Sequence, residues 1–139
     1  MNKTIRDLPK EVRYYLSDLE FKHGAEQIIE DTLVSALEGG SNYWAVVIDM
    51  KNKKPQREKP YLPTYITTPL SKDGVLILRD NEEDEGKVLE LTREKIMQGI
   101  KVMAEKYPKH FGDMIAENGD AITGDVLLQC ALFREVKYG

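Results

Sequence analysis

The stretch Leu37–Met50, LEGGSNYWAVVIDM, decides the fold because a helical pattern ends in it and a strand pattern begins. Gly39 and Gly40 stop the helix, as glycines that follow a helix C-terminus do. The only tryptophan, Trp44, then opens a run of β-branched residues typical of a buried strand. The stretch therefore predicts a junction between a helix and a strand.

The two glycines also suggest a phosphate-binding loop, but the polarity of the helix argues against one. Loops that hold phosphate lie at the N-terminal end of a helix, where free N–H groups face the anion. Gly39 and Gly40 follow their helix, so the nearby helix end is rich in carbonyl groups and partially negative. We therefore interpret the glycines as the end of the helix.

The residues after the glycines are candidates for ligand contacts. Because a strand alternates its faces, Tyr43 and Ala45 are predicted to point one way, and Asn42, Trp44 and Val46 the other. Asn42, Tyr43 and Trp44 combine aromatic rings with an amide and would suit a nucleobase. The alternative is a core tryptophan whose indole N–H is satisfied internally.

The remaining patterns predict an α+β fold in one domain, residues 1–139, with an antiparallel sheet of about 3–5 strands and about four helices. Helices are predicted over DLPKEVRYYLSDLEF (7–21), AEQIIEDTLVSALE (25–38), the segment from Thr92 to Pro108, KHFGDMIAE (109–117) and a last one from near Asp120 or Thr123. Strands are predicted over NYWAVVIDM (42–50), TYITTPLS (64–71), GVLILRD (74–80), KVLEL (87–91) and REVKYG (134–139).

Composition limits the class of protein. The chain has 139 residues, 41% hydrophobic content and a net charge of -4, which argues against a general nucleic-acid binder. It has one cysteine, no apolar leader and no apolar run of membrane-spanning length, so we expect a cytoplasmic protein.

A basic loop follows the predicted strand. Lys53, Lys54 and Arg57 could neutralise phosphate groups, although a solvated loop is the plainer interpretation. The strand before them would be about 30 Å long, which separates them from Trp44 within one subunit. They could share a site with Asn42–Trp44 only across a subunit interface, so a shared site implies a homo-oligomer.

The last helix carries a polar pair, Asp125 and Gln129, on one face. Such a pair is either exposed or hydrogen-bonded, and the sequence leaves both alternatives open. Catalytic patterns are poor: the only histidines, His23 and His110, form no paired arrangement, and Cys130 lies in an apolar helix. We therefore expect no enzyme, no metal and no cofactor.

Two blocks resemble a group of short bacteriophage and prophage proteins. These proteins pair D-x-x-x-x-A-L-E-G-G-x-x-Y-W with D-A-x-x-A-D-x-x-x-Q-x-A-L-F-G-x-V-x-x-G. The matches are Asp31, Glu38, Gly39, Gly40, Tyr43 and Trp44 in the first block, and Asp120, Asp125, Gln129, Ala131, Leu132, Phe133 and Gly139 in the second. Gly124 replaces the usual alanine and Arg134 the usual glycine.

The resemblance to phage proteins implies a counter-defence protein that acts in the cytoplasm of the infected bacterial host. Such a protein would be a sponge: it would bind and sequester an immune signal of the cyclic dinucleotide or cyclic ADP-ribose type without catalysis. The expected ligand contacts are Asn42, Tyr43, Trp44, Lys53, Lys54, Arg57, Asp125 and Gln129. The alternatives are a protein that inhibits a host nuclease, restriction or CRISPR component, and a small nucleotide-modifying enzyme.

Overall fold

The structure, a computed structural model, describes residues 25–55 and 60–139. The helix predicted over 7–21 and the side chain of Arg57 lie outside these residues. The described elements, in chain order, are α1 (Ala25–Ser35), a π-helical turn (Ala36–Gly40), β1 (Ala45–Lys51), α2 (Thr64–Leu70), β2 (Val75–Asp80), β3 (Lys87–Leu91), α3 (Arg93–Lys106), α4 (Pro108–Ile115) and α5 (Ala121–Phe133). The predicted α+β class with an antiparallel sheet is confirmed.

The sheet has the order β1-β2-β3, with both neighbouring pairs antiparallel. Its register pairs Val47 with Leu78 and Leu78 with Leu89, so these side chains share the face that packs on the helices. The register of β1 shifts between Val47 and Asp49, and Ile48 is the extra residue of this bulge.

The core is built around α5, which is buried throughout residues 123–131. Glycines let two other elements approach this helix closely. A Cβ on Gly99 of α3 would lie 2.7 Å from the Cα atom of Ala131, and one on Gly124 would lie 2.6 Å from the backbone nitrogen of Ala36. The helices therefore meet almost backbone to backbone.

The helix predicted over AEQIIEDTLVSALE (25–38) ends in a different way from the prediction. The N–H of Ser41 donates to the carbonyl of Ala36 at 2.9 Å, which closes a wide π turn. Neither Gly39 nor Gly40 has a positive φ, so neither is a left-handed cap. Gly40 is needed for close approach, because a Cβ there would lie 2.0 Å from the carbonyl oxygen of Ala121.

Two predicted strands are wrong. TYITTPLS forms α2, where the Pro63 carbonyl accepts the first N–H bonds and burial of Ile66 and Thr68 outweighs their β propensity. REVKYG forms no strand, because Arg134 takes a left-handed conformation (φ 62°) and the following backbone binds to side chains.

The other predictions in the described residues are confirmed within a few positions. Thr92 caps α3, its hydroxyl accepting the N–H of Lys95 at 3.3 Å. Asp120 caps α5 in the same way, accepting the N–H of Thr123 at 3.1 Å. Strands β2 and β3 and the short helix α4 also form where the sequence patterns place them.

The contact between α5 and the π turn predicts the effect of adding one methyl group. Gly124→Ala should lower the free energy of unfolding by about 1–3 kcal/mol, because the new Cβ meets backbone atoms that have no room to move. Gly112→Ala on α4 is the matched control: nothing lies within 4 Å of its Cβ position, so it should stabilise by about 0.5–1 kcal/mol. Urea unfolding measures both, and a Gly124→Ala protein as stable as the parent would contradict this packing.

Candidate functional site

The side chain of Asp125 joins α5 to the turn that precedes β1. Its Oδ1 accepts the hydroxyl of Ser41 and the indole N–H of Trp44, both at 2.8 Å. Its Oδ2 accepts the hydroxyl of Tyr43 at 2.6 Å and the amide of Gln129 at 3.0 Å. Of the two alternatives for the polar pair on α5, the hydrogen-bonded one is correct.

The local sequence explains why these groups meet. Asp125 and Gln129 are one helical turn apart, so both face the same side of α5. The π turn and Gly40 bring the chain against the start of α5, so that the next four residues form a turn over Asp125. Ser41 and Trp44 are both buried there.

Trp44 is a core residue, which was the alternative interpretation of the sequence. Its exposed fraction is 0%, its indole donor is taken by Asp125, and its ring packs on Phe133 and Tyr138 at centroid distances of 5.2 and 5.6 Å. The prediction that Trp44 stacks on a ligand is therefore wrong for this conformation. The predicted alternation also fails here, because Trp44 and Ala45 are both buried where the turn runs into β1.

The side chain of Gln129, which was predicted to contact a ligand, is fully buried and hydrogen-bonds within the protein. Its Nε2 donates to Asp125, to the hydroxyl of Tyr43 at 3.3 Å and to the carbonyl of Tyr138 at 3.1 Å. Its Oε1 accepts the backbone N–H groups of Lys137 and Tyr138. Gln129 is thus a buried link between the Asp125 network and the segment that follows α5.

Tyr43 is the member of this network that faces solvent, with 49% of its surface exposed. It borders a groove of about 470 Å³, which we call the tyrosine groove. The groove is lined mainly by aromatic and aliphatic side chains, together with part of Asp125: Tyr43, Tyr107, His110, Ile122, Val126, Val136 and Tyr138.

The predicted contacts at Asn42 and the lysines lie elsewhere. Asn42 lines a separate hollow of about 360 Å³ beside the edge of β1. Lys53 and Lys54 lie beyond the far end of β1, and the ammonium of Lys54 pairs with Asp73 at 3.3 Å. Seven strand residues, about 23 Å in length, separate the two ends of β1, so Lys53 and Lys54 follow the end of the strand opposite Trp44.

No sequence pattern selected Tyr107, His110 or Ile122 as site residues. They come from α4, the residue before it and the first turn of α5, and only the packing of α4 against α5 brings them to Tyr43. The available signal was an apolar residue, Ile122, at the start of the last predicted helix. In the structure, 62% of the surface of Ile122 is exposed.

In residues 25–55 and 60–139 no group of His, Cys, Asp and Glu side chains is placed to hold a metal ion. None of the described helices is long and apolar enough to cross a membrane.

Comparison with known proteins assigns no family: no protein-family model, curated protein or solved structure matches the chain. The two sequence blocks that contain Tyr43 and Asp125 meet in space. Asp125 and Gln129 of the second block hold Tyr43 and Trp44 of the first. Residues of both blocks therefore belong to one structural unit.

Removing the Asp125 carboxylate should destabilise the fold strongly. Asp125→Ala leaves the buried donors of Ser41, Trp44 and Gln129 without their acceptor, so we expect a loss of about 3–5 kcal/mol in urea unfolding. Asp84→Ala, which removes an exposed carboxylate, should change stability by less than about 0.5 kcal/mol. Equal effects of the two substitutions would contradict a central role for Asp125.

The phenol of Tyr43 should lose its proton only at an unusually high pH. Burial and its hydrogen bond to Asp125 raise the pKa of Tyr43 from 10 to about 12. The unfolded chain therefore loses this proton first, and stability that is fully present below pH 10 falls as the pH rises from 10 towards 12. Subtracting the near-ultraviolet titration of a Tyr43→Phe protein isolates this phenol, and a midpoint near 10 would show that the hydroxyl is not held by Asp125.

Proposed function

We propose that the protein binds and sequesters a nucleotide-type signal of a host immune system without changing it chemically. The observation that carries the proposal is the tyrosine groove, in which the half-exposed ring of Tyr43 is held by a buried carboxylate. Its volume of about 470 Å³ lies within the range of small-molecule sites, which is about 300–1,000 Å³.

The groove suits the planar part of such a ligand. Its aromatic and aliphatic walls would pack on a base, and aromatic stacking tolerates any base because every base has a π face. The Tyr43 hydroxyl gives its proton to Asp125, so towards a ligand it acts as an acceptor for an exocyclic amine. His110 adds a ring nitrogen at the same groove.

The phosphates need contacts from outside this groove. Asp125 already makes the region acidic, and Lys53 and Lys54 lie beyond the other end of β1. We therefore propose a homo-oligomer in which basic residues of a neighbouring subunit neutralise the phosphates. We propose that Arg57, in the same basic loop as Lys53 and Lys54, also neutralises phosphate.

Binding without turnover is supported by the state of the reactive groups. Burial raises the pKa of the Cys130 thiol to about 12, so the thiolate needed for nucleophilic attack is scarce. Both oxygens of Asp125 accept two hydrogen bonds each, which leaves that carboxylate poorly placed to act as a base. The resemblance to phage proteins supports a role in counter-defence.

A second candidate is a protein-binding inhibitor of a host defence component. The observation that favours it is the outer face of the sheet, where Val46 and Val88 are exposed on either side of Arg79, and Ile48 is exposed at the bulge. A net charge of -4 is small for a mimic of DNA, so the apolar face would have to provide the contact.

A thermal-shift panel with cyclic dinucleotides, cyclic ADP-ribose isomers and NAD tests the first proposal. A compound present at 100 times its Kd should stabilise the protein by about 2.7 kcal/mol. Ile122→Glu places a charge in the tyrosine groove and should abolish the shift, because it repels an anionic ligand. Val88→Glu, the same change of charge on the outer face of the sheet, should keep it.

The outcomes separate the candidate functions. A shift lost only in the Ile122→Glu protein supports the groove, and recovery of an altered compound after heat release would indicate an enzyme. If no compound shifts the parent, nucleotide sequestration fails for that panel. If the parent inhibits a host nuclease and Val88→Glu abolishes that inhibition, the result supports the protein-binding inhibitor instead.

A further inference from the structure

The segment Glu135–Tyr138, which we call the strap, is held against the protein by side chains. The N–H of Val136 donates to the hydroxyl oxygen of Tyr107 at 2.7 Å. The N–H groups of Lys137 and Tyr138 both donate to the Oε1 atom of Gln129, at 2.7 and 2.8 Å. Within the part of the chain that the structure describes, the strap makes no backbone–backbone hydrogen bond. It is therefore bound as an extended peptide ligand would be.

Gln129 binds the strap through the edge of the peptide backbone. Its Oε1 accepts the N–H of Tyr138 while its Nε2 donates to the carbonyl of the same residue at 3.1 Å. This pair of bonds imitates one rung of a β-ladder, the interaction by which proteins hold extended peptides. Because Gln129 is fully buried and also donates to Asp125, its amide is already fixed in the orientation that accepts a peptide.

The side chain of Tyr138 provides the specificity. Its hydroxyl donates to Oδ2 of Asp80 at 2.8 Å, and Asp80 has no exposed surface. Its ring lies on Trp44 and meets Phe133 edge-on, with a centroid distance of 5.9 Å to Phe133. A buried carboxylate that loses a donor is destabilised, so this position selects a phenol over a phenyl ring.

The residue between Val136 and Tyr138 is selected by charge. The ammonium of Lys137 pairs with Glu83 and lies 5.1 Å from the centroid of Phe133. A basic residue therefore fits between the aliphatic and the tyrosine side chains. Arg134, which ends α5 with a φ of 62°, connects the strap to this helix.

We propose that the surface formed by Tyr107, Gln129 and Asp80, which we call the seat, is a peptide-binding site that the strap occupies in cis. Its ligand would be an extended segment of a partner protein with an aliphatic residue, a basic residue and a tyrosine in succession. The partner segment would replace the strap on Gln129, Asp80 and Tyr107. Because the strap competes for the seat, the apparent affinity for the partner falls by the fraction of molecules in which the strap is bound. This site adjoins the tyrosine groove, which Tyr107, Val136 and Tyr138 also line.

The full-length double variant Val136→Pro/Tyr138→Ala tests the proposal. Proline removes the N–H that binds Tyr107, and alanine empties the place of the phenol. The fluorescence of Trp44, the only tryptophan, should then be quenched more strongly by acrylamide than in the parent. The synthetic peptide REVKYG should restore protection in a saturable way, and its phenylalanine analogue REVKFG should need about tenfold more peptide.

A scrambled peptide of the same composition is the control. The proposal is overturned if REVKYG protects Trp44 no better than the scrambled peptide. If circular dichroism shows that the double variant has lost its fold, the same peptides are titrated into Tyr138→Ala alone, where absence of a preference for the tyrosine peptide also overturns it. Neither outcome depends on nucleotide binding, so this proposal and the proposed function can fail separately.

Discussion

A buried carboxylate that accepts hydrogen bonds from four neutral donors holds α5 against the turn that precedes β1. Asp125 is 8% exposed and accepts four hydrogen bonds, three of them from the turn that follows the π helix. Hydrogen bonds to a charged acceptor are roughly twice as strong as neutral ones, so this network compensates for desolvation of the charge. The position of β1, the burial of Trp44 and the exposure of Tyr43 all follow from it.

The same network separates two surfaces that the sequence places next to each other. Tyr43 turns towards the tyrosine groove, whereas Asn42 turns towards the hollow at the edge of β1. The groove and the strap are in turn connected, because Val136 and Tyr138 form part of the groove wall. Displacement of the strap would therefore change the shape of the groove, and a ligand in the groove would in turn favour one position of the strap.

Periodicity and capping were sufficient for most elements. Thr92 and Asp120 are strong N-cap signals, and the apolar pattern of β2 has no competing interpretation. Predictions from periodicity and capping failed where tertiary contacts oppose local propensity. TYITTPLS has β-branched residues but is buried as a helix, and REVKYG binds to side chains instead of joining the sheet.

The candidate site was predictable only in part. The pair Asp125 and Gln129 was visible as a polar face on an apolar helix, yet its partners lie more than 80 residues away in the sequence. Tyr107, His110 and Ile122 have no shared pattern, since three-dimensional packing alone makes them neighbours. Trp44 was selected for its chemistry, but that chemistry serves the core.

The sequence distance spanned by the Asp125 network also has a kinetic consequence. The bond between Ser41 and Asp125 closes a loop of 84 residues, and such contacts become favourable only after the entropy of loop closure has been overcome. We therefore expect the network to form late in folding, after α5 has packed on α3. Interactions that form after the folding barrier slow unfolding rather than speed folding, so we expect this carboxylate to lengthen the lifetime of the native state.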